Sequence, residues 1–246
     1  MPKPLRVPFD GLAAGVCPLG APLARYVTRV HRLGPGAALT LFDPETGLEA
    51  DGELVEGPSP EVWCRVGAPR PSGYRPLPVL LLQGLGKADK PDEVIRAATA
   101  LGVASVRLVQ TERSGTRLSP ERGSGRLERW RRIAVEAARQ SGRGDIPGIE
   151  GPSTLEEGLT TVDAERRIVL AANAEPLFAR LGRWRGAERI ALLVGPEGGL
   201  GSAERQLAAS AGFLPASVGS TTLRTELAGV AALGALVALA AAPIDS

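Results

Sequence analysis

The chain has 246 residues, 43% apolar and 23% charged, a composition that excludes wholesale disorder and allows one large domain or two smaller ones. The formal net charge of +2 is too small to imply a partner by itself, but Lys3, Lys87 and Lys90 are the only lysines, so arginine carries nearly all the positive charge. Two cysteines, Cys17 and Cys64, and one histidine, His31, are too few for a structural zinc site or a disulfide framework, and no nucleophile motif near His31 points to a Ser-His-Asp hydrolase.

The amino terminus, MPKPLRVPFD, lacks the apolar core of a signal peptide. With cysteines expected to be reduced, the expected location is cytoplasmic. Residues 1 to about 70 read as β-rich. Ala38–Phe42 and Glu61–Val66 are strand-like runs, bounded by turn signals at Gly34-Pro35-Gly36, Asp43-Pro44 and Gly57-Pro58. The proline-rich stretch Ala68–Pro78 cannot be a central strand or a helix interior, and it serves as the expected domain boundary.

Beyond it the rhythm becomes strand, helix, strand. Val79–Leu82 is a buried run, Asp92–Leu101 a helix, Val103–Val109 a strand, and a long helix is expected over about Gly125 to Ser141. Ile168–Ala172 and Ile190–Val194 are further apolar runs, a helix follows from about Ser202 to Ala211, and Val218 is expected to end another short strand. Leu227–Ile244 carries no charge, but its alanines and glycines are weakly hydrophobic and Arg224 and Glu226 abut it. It reads as a buried helix, one that could sit at a subunit interface, and no membrane span is expected. The alternation predicts an α/β domain with a parallel sheet and ligands at the carboxyl ends of its strands.

Three constellations could carry chemistry. Gly195-Pro196-Glu197-Gly198-Gly199 follows a buried strand and precedes a helix; its glycines permit close backbone approach to a ligand, or simply a tight turn. Arg224-Thr225-Glu226 opens the uncharged helix, where Glu226 suits a helix start and Arg224 gains nothing from the helix dipole. The third is a run of arginines from Arg113 to Arg143 that includes Arg117, Arg132 and Arg139; it is either a phosphate-binding stripe or a solvated helix face. Within it, Leu127, Trp130, Ile133, Ala134 and Ala137 recur at helical spacing as the core-facing side.

In order along the chain, Arg29-Val30-His31-Arg32-Leu33-Gly34-Pro35-Gly36, Leu41-Phe42-Asp43, Leu101-Gly102-Val103, Thr111-Glu112-Arg113-Ser114, Glu136–Arg143, Gly195–Gly199 and Leu223-Arg224-Thr225-Glu226 resemble the RsmE family. These are bacterial 16S ribosomal RNA uridine-N3 methyltransferases of the SPOUT superfamily. The resemblance implies a PUA-like β-barrel, an RNA-binding domain, over residues 1–72, and a SPOUT α/β domain with a trefoil knot over 73–246. It implies S-adenosylmethionine as cofactor, held by Leu170, Ala171 and Ala172, by Gly195, Pro196, Glu197, Gly198 and Gly199, and by Val218, Gly219, Leu223, Arg224 and Thr225. It further implies a homodimer acting on 16S ribosomal RNA in the small ribosomal subunit, without a metal. Three positions depart from the family pattern: Ala100 and Arg139 stand where glutamates are usual, and Leu227 where threonine is usual.

On that resemblance Arg224 and Glu226 are the catalytic residues. Arg224 is expected to stabilise negative charge on the uracil or to anchor a phosphate, and Glu226 to act as a base or to orient Arg224. Arg29, Arg32, Arg113, Arg117, Arg132, Arg139 and Arg143 are the expected RNA contacts. Two other readings stay open: a SPOUT enzyme acting on another RNA or atom, such as a ribose 2′-hydroxyl, and a non-catalytic RNA-binding or assembly protein.

Overall fold

A computed structural model describes residues 4–115, 120–182, 184 and 186–241. It divides into two compact units, Met1–Arg75 with Ala138–Ile146, and Pro76–Ala137 with Pro147–Ser246.

The first unit contains β1 (Leu5–Pro8), β2 (Gly15–Pro18), α1 (Ala21–Arg25), β3 (Ala38–Asp43), β4 (Leu48–Val55), β5 (Trp63–Val66) and β6 (Arg70–Pro71). The sheet order is β1-β3-β4-β5-β2, with β6 also paired to β4; β1 and β3 run parallel and the other pairs antiparallel. In β4 the alternation is plain: Ala50, Gly52 and Leu54 are buried while Asp51 and Glu53 face solvent. The β3–β4 turn is held by Asp43, whose carboxylate accepts backbone N–H bonds from Glu45 (2.9 Å), Thr46 (3.2 Å) and Gly11 (3.1 Å). Burial would raise its pKa, but these donors favour the charged form and the net shift is downward.

The helical segment here was not expected from sequence. α1 continues as a π-helical turn over Tyr26–Val30, burying Val27 against Val7, Leu39 and Leu41. It is short and its N-cap, Gly20, provides no side-chain bond, so the usual start signal is missing. The segment Ala138–Ile146 joins this unit through Arg143. That guanidinium is 2% exposed, bonds both oxygens of Asp145 (2.8 and 2.9 Å) and lies over the Tyr74 ring, while the Arg143 carbonyl accepts from Arg6 Nε (3.1 Å).

The second unit contains β7 (Leu77–Gly84), α2 (Lys90–Ala100), β8 (Val103–Gln110), α3 (Pro120–Ser141, its last turn assigned to the first unit), β9 (Gly148–Thr154), α4 (Leu155–Thr160), β10 (Arg166–Leu170), α5 (Leu177–Leu181), β11 (Ile190–Val194), α6 (Ser202–Ser210), β12 (Leu214–Ala216) and α7 (Thr225–Ala241). The order is β12-β10-β11-β7-β8-β9 and every pair is parallel. β7 and β11 lie in the middle, which explains their nearly unbroken apolar runs. Helix α3 starts at Pro120 rather than near Gly125, and the last strand ends at Ala216, which leaves Val218 in a bend. Trp130, 1% exposed, donates its indole N–H to Asp92 of α2 (3.1 Å), and Arg129 bonds the other oxygen of that carboxylate.

Helix α7 crosses β7 and β11 at Gly229. A Cβ there would meet Leu81 Cδ1 at 3.1 Å and Val194 Cγ2 at 3.4 Å, so the glycine sets how closely the helix approaches the sheet. Among the described residues no helix is long and apolar enough to cross a membrane.

Candidate active site

Strands β10 and β11 end on the same side of the parallel sheet, and the loops that follow them, with the start of α7, enclose a cavity of about 800 Å³. It is lined by Leu170, Ala171 and Ala172 after β10, by Val194 through Leu200 after β11, and by Thr222, Leu223, Arg224 and Thr225 ahead of α7. Phe213 and Pro215 extend the apolar wall, and Lys90, Arg113 and Arg205 bring charge to it. Eleven of the residues expected to hold a cofactor thus meet around one space: Leu170, Ala171, Ala172, Gly195, Pro196, Glu197, Gly198, Gly199, Leu223, Arg224 and Thr225. Val218 and Gly219 lie outside it. They share a smaller recess of about 90 Å³ with Leu170, Ala171 and Ala172.

Backbone contacts fix the shape of the loop after β11. Gly199 N–H donates to the Pro196 carbonyl (2.8 Å), closing a tight turn. Gly84 at the end of β7 abuts the loop: a Cβ there would lie 2.7 Å from Pro196 N and 2.9 Å from the Gly195 carbonyl carbon. From α7, Thr225 Oγ1 donates to the Gly195 carbonyl (2.6 Å) while accepting from the buried Gln83 amide (3.0 Å), whose Nε2 also donates to the Gly84 carbonyl (3.2 Å). Arg113 donates to the Gly198 carbonyl (2.8 Å) and Arg205 to that of Leu200 (2.5 Å).

The charged groups sort differently from expectation. Glu226 pairs with Lys90 (3.1 Å), and the same ammonium reaches Glu197 (3.0 Å). The direct ionic partner of Glu226 is Lys90, and the charge of Arg224 also favours its anionic form. Glu226 has a lowered pKa, chiefly through its own backbone N–H, which outweighs burial, and then through Lys90; a carboxylate stabilised as the anion is a weak base. Glu197 is lowered as well: burial acts upward, but its own backbone N–H, the Lys87 N–H (3.1 Å) and Lys90 prevail. The two carboxylates in turn push the Lys90 pKa up, Glu197 most. Arg224 is exposed, and among the described residues no carboxylate pairs with it.

The expected RNA contacts scatter. Arg29, Arg32 and Arg132 are exposed. Arg113 lines the cavity instead of standing free on a helix, and Arg139 lies over the Tyr26 ring at 4.3 Å. Arg143 is corrected: it is buried against Asp145 and unavailable to a ligand, because a guanidinium with a bidentate partner forms a tight internal pair. Arg117 lies outside the described residues. Sequence reasoning missed Lys90, Arg205 and Gln83. For Lys90 a signal existed in the scarcity of lysine; the other two carried none.

A nucleoside sulfonium donor needs an apolar slot for a flat base and polar groups at its edge. Leu170, Ala171, Pro196 and Phe213 supply the former and Glu197, Arg205 and Arg224 the latter, in a volume within the usual range of small-molecule sites. S-adenosylmethionine fits that donor set. Among the described residues no group of three His, Cys, Asp or Glu side chains could hold a metal.

A family model described as an RNA methyltransferase domain matches residues 74–237. The ribosomal RNA small subunit methyltransferase E of Synechocystis is 37% identical over 168 residues, a match that covers 67% of this chain and only 54% of that relative. Its Bacillus subtilis counterpart is 26% identical over 219 residues, 86% of this chain and 85% of the relative. Among solved structures, ribosomal RNA small subunit methyltransferase E from Neisseria gonorrhoeae, bound to S-adenosyl methionine, superposes with a TM-score of 0.86 at 27% identity, covering 96% of this chain and 98% of its own. The chain belongs to the RNA methyltransferase domain family, among its small-subunit methyltransferase E (RsmE) members.

Proposed function

We propose that the chain transfers a methyl group from S-adenosylmethionine to N3 of a uridine in 16S ribosomal RNA of the small ribosomal subunit. The observation that carries this is the exposed Arg224 guanidinium at the edge of a glycine-lined cavity of about 800 Å³, in a member of this family. When bound, the cofactor supplies a methyl group on a positively charged sulfur. The loops after β10 and β11 and the start of α7 hold it, and positioning supplies much of the rate.

Uracil N3 carries a proton and attacks poorly until that proton is given up to solvent water, which the exposed edge of the site admits. Arg224 is exposed and forms no ion pair among the described residues, so its charge is available to the uracil oxygens as negative charge develops, or to a neighbouring phosphate. Glu226, committed to Lys90, sets the first turn of α7 and with it the backbone that carries Arg224.

The first unit acts as a PUA-like β-barrel that grips RNA, with the exposed Arg29 and Arg32 supporting that role; Arg132 adds a third exposed cation on α3. The second unit carries the SPOUT trefoil knot. The chain's path from β11 to the sheet edge at β12 and back through α7 to the face of β7 and β11 supports this reading. The active form is a homodimer. Supporting it, α7 is apolar beyond its first turn, yet Leu227 and Val237 are exposed, and its Ala235, Ala238 and Leu239 line a groove of about 720 Å³ with Leu177 and the exposed Phe178. The site of action is the cytoplasm, where small subunits are found.

Incubating purified small subunits with the protein and isotopically labelled S-adenosylmethionine, then analysing digested ribosomal RNA by mass spectrometry, tests the proposal. One labelled 3-methyluridine per subunit is the expected outcome; label on a ribose 2′-oxygen, or none, overturns it.

A further inference from the structure

Lys90 is the first residue of α2, and its ammonium lies 3.0 Å from Glu197 Oε1 and 3.1 Å from Glu226 Oε2. The two carboxylates come from separate parts of the chain: Glu197 from the loop after β11, Glu226 from the first turn of α7. Sharing one nitrogen, they are neighbours, and like charges at that range repel. The Lys87 N–H adds a second donor to Glu197 Oε1 from the same approach to α2. Two walls of the cavity are therefore joined through a single side chain.

We infer that Lys90 is a positioning residue for methyl transfer, holding the Gly195–Gly199 loop against the start of α7 in the arrangement that receives the cofactor. This rests on the methyltransferase reading of the site. Lys90 itself does not act on the reacting atoms, because both of its carboxylate partners hold it charged. Its pair with Glu197 adds little to global stability, since both side chains are 30% exposed, whereas Glu226 is more enclosed at 12% and relies more on the ammonium. What it controls is the geometry of a loop whose backbone forms the cavity wall. An arginine at this position has a fork that can also span two carboxylates, whereas methionine fills the same space without charge.

Calorimetric titration of S-adenosylmethionine into the full chain, beside Lys90→Met and Lys90→Arg, tests the inference, with thermal unfolding of each without ligand. Lys90→Met should bind about tenfold more weakly, a modest share of what a misplaced site can lose. Its Tm should fall by only about 2–4 °C, the Glu226 carboxylate losing its cation, and Lys90→Arg should recover both the native Tm and an affinity within about threefold of native. If Lys90→Met shows no folded transition, Lys90→Gln takes its place in the same comparison. Native affinity in the uncharged variant, or equal weakness of both variants together with a lowered Tm, overturns the positioning role. An absence of binding by the native chain overturns the methyltransferase reading itself, and the role of Lys90 with it.

Discussion

Thr225 Oγ1 lies 2.6 Å from the Gly195 carbonyl oxygen, and this hydrogen bond ties the first residue of α7 to the loop after β11. Thr225 is buried and also accepts from Gln83, 142 residues away, so strand β7, the loop after β11 and the start of α7 meet at one hydroxyl. Thr225→Val keeps the shape but removes the donor to Gly195 and the acceptor for Gln83. A loss of about 1–3 kcal/mol in urea unfolding is expected, the cost of leaving buried polar groups unpaired. An unchanged midpoint would show that water replaces the bond.

Arg224 is exposed and forms no ion pair among the described residues, so truncating it should leave the fold alone and affect the chemistry. Arg224→Ala is expected to lower kcat by about 10²–10³-fold, the scale of removing one preorganised charge-stabilising donor, with a native Tm. Single-turnover methylation of small subunits checks this, and near-native turnover would remove Arg224 from the mechanism.

Arg132 and Arg143 lie in the same basic run but in different environments, one exposed and one buried against Asp145. Arg143→Ala should cost about 3 kcal/mol of stability, because it leaves an uncompensated carboxylate partner. Arg132→Ala should leave stability unchanged and reduce the slope of log affinity for RNA against log salt by about one phosphate contact. Denaturant unfolding and filter binding over a salt series separate the two effects; a stability loss at Arg132, or none at Arg143, contradicts the assignment.

Glu197 and Glu226 are both lowered from the ordinary glutamate value of 4.5. A depressed folded pKa means that their contacts contribute stability which is complete above that value and is lost as pH falls through the lower, folded one. Carboxyl-carbon NMR should show both titrating below 4.5, and Lys90→Met should move both upward. Titration at or above 4.5 in the native chain would dissolve the Lys90 bridge.

Several features were legible because they are local. Apolar runs at 79–82, 103–109 and 190–194 are strands for the reason that made them visible: a strand covered on both faces by helices needs no polar alternation. The glycine-rich loop after β11 and the Arg-Thr-Glu start of α7 stood out likewise, since turn and cap chemistry is encoded within a few residues. The helical segment at 21–30 did not, lacking a side-chain cap. Arg143 misled because arginine is seldom buried, and only its partner Asp145 and the ring of Tyr74 account for its place.

By itself the sequence determined a parallel α/β unit with loops carrying small residues and an arginine at its strand ends. The tertiary structure alone decided the strand order that sets β7 beside β11, and hence that Gln83 reaches Thr225 and the Lys87 backbone reaches Glu197 across 110 residues. Periodicity and capping act over a few residues, whereas the pairing of distant charges depends on where the chain returns, which no local pattern encodes.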